Sequence, residues 1–312
     1  MKYLEFINQK IRDTVLLPEK LVLFGQNIGA GSCLGGLTRN LKIQENSMLI
    51  NSTNTENSLC GLGFGLMMNN VSSIFFMKQL DFLLLGIDHL VNTYNIIRNN
   101  HQTNSSFTIM PIIMDNGFQG PQSSHNNFGD FCSIARIQGY TITNKFDAEK
   151  IIDSKLIDSG FRIIGVSQRL FQTELIEPEK LIYTSDDLSV FQYSDGGDVT
   201  IVCFNFSFPY GYELAEKLSD QNIKHSLFNV NSPTIADWRK IIDSIRKTKK
   251  IIIIDDSKST NLNYHMLLSE LSGEIQLEKK IIITKKLSNN WLNPIDDQLS
   301  VNYDSIIENL MK

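Results

Sequence analysis

Solid apolar runs alternate along the chain with stretches in which apolar residues recur every three or four positions. The runs predict strands that are buried on both faces, and the stretches predict amphipathic helices. The predicted strands are Leu21–Gly25, Met48–Asn51, Ser73–Phe76, Thr108–Met114, Arg162–Val166, Val199–Phe204, Ser226–Val230, Lys250–Asp255 and Lys280–Thr284. The predicted helices are Leu4–Val15, Asn57–Met68, Leu80–Asn99, Asp147–Asp158, Tyr210–Gln221, Ile235–Thr248 and Thr260–Leu271. This order predicts an α/β fold with parallel sheets that helices cover on both faces.

One stretch breaks the alternation. It contains Pro178, scattered acidic residues and the turn cluster Asp195-Gly196-Gly197 ahead of the next strand. We therefore predict a linker over residues 176–197 that divides the chain into a first domain, residues 1–175, and a second domain, residues 198–312. Both lengths are ordinary for single domains.

The composition of the chain mainly argues against several classes of protein and site. The chain has 312 residues, 42% of them apolar, with a formal charge of −5 and a pI near 5.6. The negative charge argues against nucleic acid or an anionic membrane as the main partner. The most apolar stretch, Leu80–Val91, contains two aspartates and is a poor candidate for a membrane span. Cys33, Cys60, Cys132 and Cys203 are far apart with no CxxC pair, so we expect reduced thiols in a cytoplasmic protein rather than a metal or disulfide site.

Glu56 is the first candidate for chemistry, and two interpretations apply to it. The spacing Thr53-x-x-Glu56 matches a capping box, in which a hydroxyl and a carboxylate satisfy free amides at the start of a helix. Glycines within a helix cost stability unless another chain segment or a ligand comes close, and three follow here: Gly61, Gly63 and Gly65. One acid beside closely packed backbone, with an aromatic residue in the next helix, favours a pocket for a flat heterocycle.

Two loops that follow strands are further candidates. The loop Asp115–His125 follows the strand Thr108–Met114, at the strand end where open α/β sheets bind ligands. His125 could act there as an acid or base near neutral pH, or it could be an ordinary exposed loop histidine. The segment Gly25–Gly31 lacks the GxGxxG and GxxxxGK[ST] spacings, which argues against a nicotinamide oxidoreductase and against a P-loop.

Four segments, in order, match the motifs of a known family. They are FGQNIGAGSCLGGLTRNL (Phe24–Leu41), STNTENSLCGLGFGLMM (Ser52–Met68), QLDFLLLGIDHLVN (Gln79–Asn92) and GFQGPQSSH (Gly117–His125). On these segments, and on GGDVTIVCFNFSFPYGYELAEKL (Gly196–Leu218) and SIRKTKKIIIIDD (Ser244–Asp256) in the second domain, the whole chain resembles the β subunit of thiamine-diphosphate-dependent 2-oxo-acid dehydrogenases, the pyruvate dehydrogenase E1 type. More distantly, it is similar to the C-terminal half of transketolases. The resemblance implies a pyrimidine-binding domain with a parallel sheet, followed by a transketolase C-terminal-type α/β domain.

The resemblance also implies where a cofactor binds. A β-type chain of this family holds the aminopyrimidine of thiamine diphosphate, while an α-type subunit carries the diphosphate and Mg²⁺ in an α2β2 assembly; no metal ligand is expected here. Glu56 falls on the family's activating glutamate, whose carboxyl group hydrogen-bonds the pyrimidine ring nitrogen and favours the imino tautomer that removes the thiazolium proton. Phe82 falls on the aromatic residue that packs against the pyrimidine. Asn54, Gln79 and His89 fall on further cofactor-binding positions.

Several positions depart from the family pattern. Where the family has a histidine directly after GPQ, this chain has two serines and places His125 two positions later. Gln26 stands in place of the glutamate of the family's GED motif. Lys78, Gln79 and Asn54 are polar, so the predicted pocket is more polar than a pyruvate dehydrogenase needs.

Two functions remain open from the sequence. The leading hypothesis is a thiamine-diphosphate enzyme subunit that cleaves or forms a C–C bond next to a carbonyl, on a 2-oxo acid or a sugar-like ketose. In that case Glu56 activates the cofactor and His125 is a second candidate catalytic residue. The alternative is a non-catalytic scaffolding paralogue that stabilises its α-type partner, which Gln26 and the displaced loop histidine favour.

Overall fold

The computed structural model describes residues 1–100, 103–117, 119–120, 126–273, 275–285 and 299–311. Its strands are β1 (Val22–Gly25), β2 (Met48–Asn51), β3 (Ser73–Met77), β4 (Ser106–Ile113), β5 (Gly139–Ile142), β6 (Gly160–Ser167), β7 (Tyr183–Thr184), β8 (Val190–Ser194), β9 (Val199–Phe204), β10 (His225–Val230), β11 (Lys250–Asp255) and β12 (Lys279–Thr284). Its α-helices are α1 (Tyr3–Val15), α2 (Glu56–Met68), α3 (Tyr94–Asn100), α4 (Phe128–Ala135), α5 (Lys145–Lys155), α6 (Phe208–Asp220), α7 (Arg239–Thr248), α8 (Tyr264–Leu271) and α9 (Tyr303–Met311). Between β3 and α3 the chain forms a 3₁₀-helix, Leu80–Leu85, and a π-helix, His89–Thr93.

The first sheet has six strands in the order β2-β1-β3-β4-β6-β5. Every neighbouring pair is parallel. Helices α2, α3 and α4 pack on one face, where Phe24, Phe75 and Ile109 belong to one buried cluster. Helices α1 and α5 pack on the other face. Because both faces are covered, β3 and β4 are buried along their whole length, as their solid apolar sequences predict.

The second sheet also has six strands, in the order β12-β11-β9-β10-β8-β7. The strands from β12 to β10 are parallel, and β8 and β7 add antiparallel pairs at one edge. Helices α7 and α8 pack on one face, and α6 and α9 pack on the other. The cluster that holds α6 and α9 also holds α1 and α5, so one continuous core joins the two sheets.

The predicted α/β class, a parallel sheet followed by a second α/β unit, is confirmed. Each predicted strand is present with small shifts at its ends, whereas β5, β7, β8, α4 and α9 were not predicted. Strands β7 and β8 lie inside the segment predicted as a linker, and β8 pairs with β10. Their sequences mix polar and apolar residues beside turn signals, so the long-range pairing, and not a local pattern, makes them strands.

The single helix predicted over Leu80–Asn99 is wrong, because three segments of different helical type replace it. A close approach to α2 accounts for the break. A Cβ added at Gly86 would lie 2.5 Å from the sulfur of Cys60 and 3.3 Å from the backbone oxygen of Glu56. The chain therefore passes against α2 at Gly86, and this tertiary contact overrides the helical periodicity.

Two expectations from composition can be compared with the fold. No helix in the described part of the chain is both long and apolar enough to cross a bilayer. All four cysteines are free thiols, and three of them are buried. Burial raises the pKa of a thiol because it disfavours the charged form, so these buried thiols stay protonated near neutral pH.

A buried arginine closes the connection between α5 and β6. Arg162 is 5% exposed and donates hydrogen bonds to the backbone oxygens of Lys155 at 2.9 Å and Asp158 at 2.5 Å, and also to that of Ser159. These carbonyls lie at the C-terminal end of α5 and just beyond it, where unpaired carbonyl groups favour a cation. Burial lowers the pKa of Arg162, but a guanidinium stays charged at any ordinary pH.

We expect Arg162→Met to destabilise the chain by about 3 kcal/mol, because three backbone carbonyls lose their donor in a buried place. Thermal unfolding followed by circular dichroism should show a melting temperature lowered by several degrees. The matched control is Arg246→Met, since Arg246 lies on the exposed side of α7 beside Asp243 and should cost less than about 1 kcal/mol. Equal effects of the two substitutions would contradict this role for Arg162.

Candidate functional site

The first sheet has its topological switch point between β1 and β3. From β1 the chain goes to β2 on one side and then returns to β3 on the other side. Ligands of open α/β sheets bind in the crevice outside the carboxyl ends of two such strands. Gly25 ends β1 with φ +151°, and a Cβ there would collide with the backbone oxygen of Phe76 on β3. Glycine at this position allows the two strand ends to approach closely.

A cavity of about 260 Å³ lies at this crevice. Asn27 and Ser32 line it from the segment after β1, and Lys78 and Gln79 line it from the segment after β3. Gln119 lines it from the loop after β4 and donates a hydrogen bond of 2.5 Å to Gln168. The wall thus combines amide side chains and one lysine with the apolar side chains of Leu34, Ile112, Met114 and Phe171.

Glu56 is the first residue of α2, and the residue that precedes the helix is Thr55. The backbone N–H of Leu59 donates to the Thr55 oxygen at 2.9 Å, and Thr55 makes no side-chain capping bond. The capping box Thr53-x-x-Glu56 is therefore wrong, because Thr53 lies two residues ahead of the capping position. Glu56 is only 6% exposed, and its carboxyl group makes no hydrogen bond to another described residue, although its oxygens are not fully buried. Its hydrogen-bonding capacity is available for a ligand.

Cys60 lies one helical turn after Glu56. Burial raises the pKa of its thiol to about 12, and the negative charge of Glu56 adds to the rise. Because the Cys60 thiol is neutral, it provides no positive charge to the Glu56 carboxyl group. Gly86 packs on the same turn of α2, and the side-chain nitrogen of Asn57 donates to the Leu85 oxygen at 3.3 Å. The start of α2 is thus held against the segment that contains Phe82.

The three glycines of α2 have different surroundings. An added Cβ at Gly61 would lie 3.1 Å from the imidazole ring of His89, and one at Gly63 would collide with the ring of Phe107. An added Cβ at Gly65 would have no atom within 4 Å. Neighbouring side chains therefore explain Gly61 and Gly63, without a ligand or a second backbone at these positions.

The structure brings some of the predicted site residues together. Glu56, the half-buried Phe82 and His89 lie on segments that pack against each other, and the Nδ1 atom of His89 is 2.9 Å from the Thr93 hydroxyl. Gln79 lines the cavity at the switch point. Asn54 is exposed on the surface ahead of α2. His125 lies outside the described residues.

A buried ion network was missed by the sequence analysis. Arg169, after β6, donates to Asp256 after β11 at 2.8 Å, and its Nε lies 3.7 Å from Asp115 after β4. Asp115 also accepts from Ser167 at 2.5 Å and from the Arg169 backbone at 2.9 Å. Burial raises the pKa of Asp115, and the positive charge of Arg169 opposes that rise. The sequence contains one signal for this network, because polar residues directly follow three of the predicted strands.

This network holds the loop that ends at Asn126. The side chain of Asn126 donates to the Asp256 backbone oxygen at 2.9 Å and accepts from Asn205 at 2.9 Å. Its backbone oxygen accepts from Ser257 and from the Lys258 N–H at 2.9 Å. Asn126 is thus bonded to the second unit, and the carboxyl ends of strands from both sheets meet here.

Known proteins share this architecture. No family model matches the chain. It is 20% identical over 263 residues to pyruvate dehydrogenase E1 component subunit beta-1, mitochondrial, of Arabidopsis thaliana, with 80% of this chain and 70% of the relative covered. It is 22% identical over 243 residues to the corresponding subunit beta of Cyanidium caldarium, with 76% and 73% covered. The subunit beta of Rickettsia felis is 20% identical over 266 residues, with 81% and 78% covered.

A solved structure described as a split gene transketolase, inactive beta4 tetramer, has the same fold. Its TM-score is 0.63 at 14% sequence identity, with 98% of this chain and 97% of that chain covered. The likeness extends over both sheets of this chain. The predicted resemblance to E1 β subunits and to transketolases is therefore confirmed, whereas the assignment of individual site residues stays a prediction.

The glycines of α2 provide a matched pair of substitutions. We expect Gly63→Ala to destabilise the chain by about 1–3 kcal/mol, because its methyl group overlaps the Phe107 ring. Gly65→Ala should stabilise it by up to about 1 kcal/mol, since alanine favours the helix and no atom obstructs the methyl group. Melting temperatures that shift in the same direction would refute this explanation of the glycine pattern.

Arg169→Met should destabilise the chain by about 3–5 kcal/mol, because it leaves Asp115 and Asp256 buried without their positive partner. Adding Asp115→Asn should recover part of that loss, since one of the two uncompensated charges disappears. Urea unfolding of the single and double variants measures both effects. A double variant that is less stable than Arg169→Met would show that charge compensation is not the main role of this arginine.

Proposed function

We propose that this chain is the pyrimidine-binding subunit of a thiamine-diphosphate-dependent enzyme that forms or cleaves a C–C bond next to a carbonyl. The proposal rests mainly on the position and burial of Glu56. It is a buried carboxyl group at the start of a helix, at the position of the family's activating glutamate, and no described residue donates a hydrogen bond to it. A largely buried carboxyl group that makes no hydrogen bond within the described chain is free to bind a ligand at its solvent-facing edge.

The residues around Glu56 fit a flat, weakly polar ring. Phe82, on the segment packed against the start of α2, is half-buried and has ring surface available for stacking. His89 is held by Thr93 and packs on Gly61, so its position is fixed beside the same helix. Asn54 is exposed ahead of α2, where it would contact either the ring or a partner subunit. We assign cofactor binding to Asn54, Glu56, Gln79, Phe82 and His89.

The cofactor, when bound, supplies a nucleophilic carbon that adds to the carbonyl group of the substrate. Glu56 would share a proton with the pyrimidine ring nitrogen, and its fixed place at the first turn of α2 would orient that hydrogen bond. Phe82 would orient the ring plane by stacking. His125 is proposed as a second proton-transfer residue.

We further propose that an α-type partner subunit completes the site and supplies the ligands of Mg²⁺ and of the diphosphate. The chain contains no GDG…N motif for these groups. In the described residues no cluster of three or more His, Cys, Asp or Glu side chains could hold a metal ion. The transketolase neighbour described as an inactive β4 tetramer supports the idea that a β-type chain by itself lacks activity. An α2β2 assembly is the arrangement we propose.

The polar side chains in the cavity at the switch point bear on the substrate. Lys78 and Gln79 line it together with Asn27 and Ser32. Side chains of this kind hydrogen-bond hydroxyl groups, so they favour a polyhydroxylated donor such as a ketose over a small 2-oxo acid. A 2-oxo acid that is decarboxylated and passes its acyl unit onward is the second substrate class.

A non-catalytic scaffolding role is the alternative function. Gln26 in place of a glutamate and the absence of a histidine directly after Gln122 favour it. In that case the chain would stabilise its α-type partner and bind the cofactor without turnover. Glu56 and Phe82 would then be retained for binding alone.

We expect Glu56→Gln to lower kcat of the assembled complex by about 10²–10⁴-fold, because the amide cannot share the proton, while cofactor affinity changes much less. The measurement uses the chain co-expressed with an α-type partner, thiamine diphosphate and Mg²⁺, with pyruvate and ketose phosphates as donors and mass spectrometry of products. Glu45→Gln, at an exposed glutamate, is the matched control and should keep full activity.

Two outcomes would count against the proposed chemistry. Unchanged turnover in Glu56→Gln would remove the activating role of this residue. Tight cofactor binding by the wild-type complex, with no turnover of any donor, would favour the scaffolding alternative.

A further inference from the structure

A second cleft, whose lining does not include Glu56 or Phe82, lies where α1 meets the turn between β1 and β2. Its volume is about 660 Å³. Residues of α1 line one side, and Gly35 and Gly36 line the other side. The charged side chains of the lining differ in whether they already have a partner, and they are Lys2, Glu5, Arg12, Asp13 and Arg39.

Two of these charged side chains already have partners. The ammonium group of Lys2 lies 2.5 Å from the carboxylate of Glu174 in an ion pair. The carboxylate of Glu5 accepts a hydrogen bond from the Lys2 backbone N–H at 3.1 Å, at the start of α1. Asp13 lies toward the edge of the helix face that lines the cleft, because it is about 100° from Arg12 around the helix axis. The middle of this face is therefore occupied by Arg12.

The backbone of Arg39 is attached to α1 beside Arg12. The side-chain nitrogen of Asn8 donates to the backbone oxygens of Leu37 at 2.9 Å and of Arg39 at 3.0 Å. Arg12 follows Asn8 by one helical turn on the same face, so the side chains of both arginines extend from neighbouring points. Within the part of the chain that the structure describes, neither guanidinium group forms an ion pair with a carboxylate, although other arginines do.

The opposite wall of the cleft has an unusual backbone. Four consecutive residues have positive φ, namely Cys33 at +49°, Leu34 at +53°, Gly35 at +70° and Gly36 at +115°. Residues other than glycine rarely adopt this conformation, and strained backbone of this kind is concentrated at functional sites. A Cβ on Gly36 would lie 3.9 Å from the guanidinium carbon of Arg39. A ligand of this arginine can therefore come close to the backbone of the turn.

We propose that this cleft binds a dianionic phosphate group, with the guanidinium groups of Arg12 and Arg39 as its ligands. A guanidinium group offers N–H donors in a planar fork that matches the oxygens of a phosphate. Two guanidinium groups balance the charge of about −2 that a phosphate monoester carries near neutral pH, whereas a carboxylate carries only a single charge. The negative net charge of the chain favours a soluble phosphate compound over an anionic membrane.

The cleft adjoins the cavity at the switch point. Gly35 and Phe171 line both spaces, and a Cβ on Gly35 would lie 3.5 Å from the Phe171 ring. A phosphate group held against the turn therefore also restrains one wall of that cavity. The inference does not depend on the function proposed for Glu56, since binding can be measured without turnover.

The first test compares thermal unfolding of the full chain in sodium phosphate and in sodium chloride at the same pH and ionic strength. We expect the melting temperature to be about 3 °C higher in phosphate, because a ligand that binds only the folded chain stabilises it by mass action. Glycerol 3-phosphate should have the same effect. Malonate, a dicarboxylate, should have a much smaller one.

The second test measures the affinity for inorganic phosphate by isothermal titration calorimetry. Arg12→Gln and Arg39→Gln should each weaken binding by about tenfold or more, because each removes a charge-assisted donor. Arg246→Gln removes the same charge from an arginine on α7 that pairs with Asp243, and it should leave the affinity unchanged. Arg12 is half-buried and Arg39 is exposed, so both variants should fold.

The third test needs no variant. Crystals of the wild-type chain soaked in tungstate should show an anomalous peak between the guanidinium groups of Arg12 and Arg39. Equal melting temperatures in phosphate and chloride, an absent peak, or unchanged affinity in both arginine variants would overturn the proposal. An equal shift with malonate would overturn the assignment to phosphate. Cosedimentation with phosphatidylglycerol vesicles, without a response to soluble phosphate, would assign the cleft to lipid headgroups and overturn the source named here.

Discussion

The two sheets meet at the carboxyl ends of their parallel strands, and this meeting constrains the rest of the structure. These ends present acidic side chains, Asp115 from the first sheet and Asp256 from the second, in a buried place where like charges repel. Arg169 lies between them and donates to Asp256 and to the Phe206 backbone oxygen. Its guanidinium group also lies over the aromatic ring of Tyr210. A buried ion pair of this kind adds little net stability over an apolar contact, but it specifies one relative placement of the two sheets.

That placement has consequences for the candidate site. The loop after β4 ends at Asn126, which is bonded to Asp256, Asn205 and Ser257 of the second sheet. The chain is therefore held by the second unit at Asn126, directly before α4 of the first unit. Through these hydrogen bonds the two units fix each other at the carboxyl ends of β4, β9 and β11.

Local pattern was sufficient for the elements that are buried on both faces. The run Ile251–Ile254 between charged flanks predicts a parallel strand, and β11 is that strand. Local pattern was insufficient where contacts between residues far apart in the sequence determine the structure. Arg169 and Asp256 are separated by 87 residues, and nothing in either neighbourhood indicates the partner. The start of α2 is a smaller case: the spacing Thr53-x-x-Glu56 matches a capping box, but the helix begins at Glu56 after Thr55, which makes no side-chain capping bond.

The surroundings of Glu56 support the proposal that a second chain completes the site. Large apolar side chains lie exposed on α2 and on the adjacent 3₁₀-helix, with Leu62 at 42%, Leu84 at 58% and Leu85 at 60%. A carboxyl group that must share a proton with a ring nitrogen works best where water is excluded, because water competes for both groups. In the proposed function this chain supplies the acid and one wall of the pocket, and the apolar side chains beside them are exposed. A partner subunit that covers these side chains would exclude water and complete the proposed pocket, so activity would then depend on assembly.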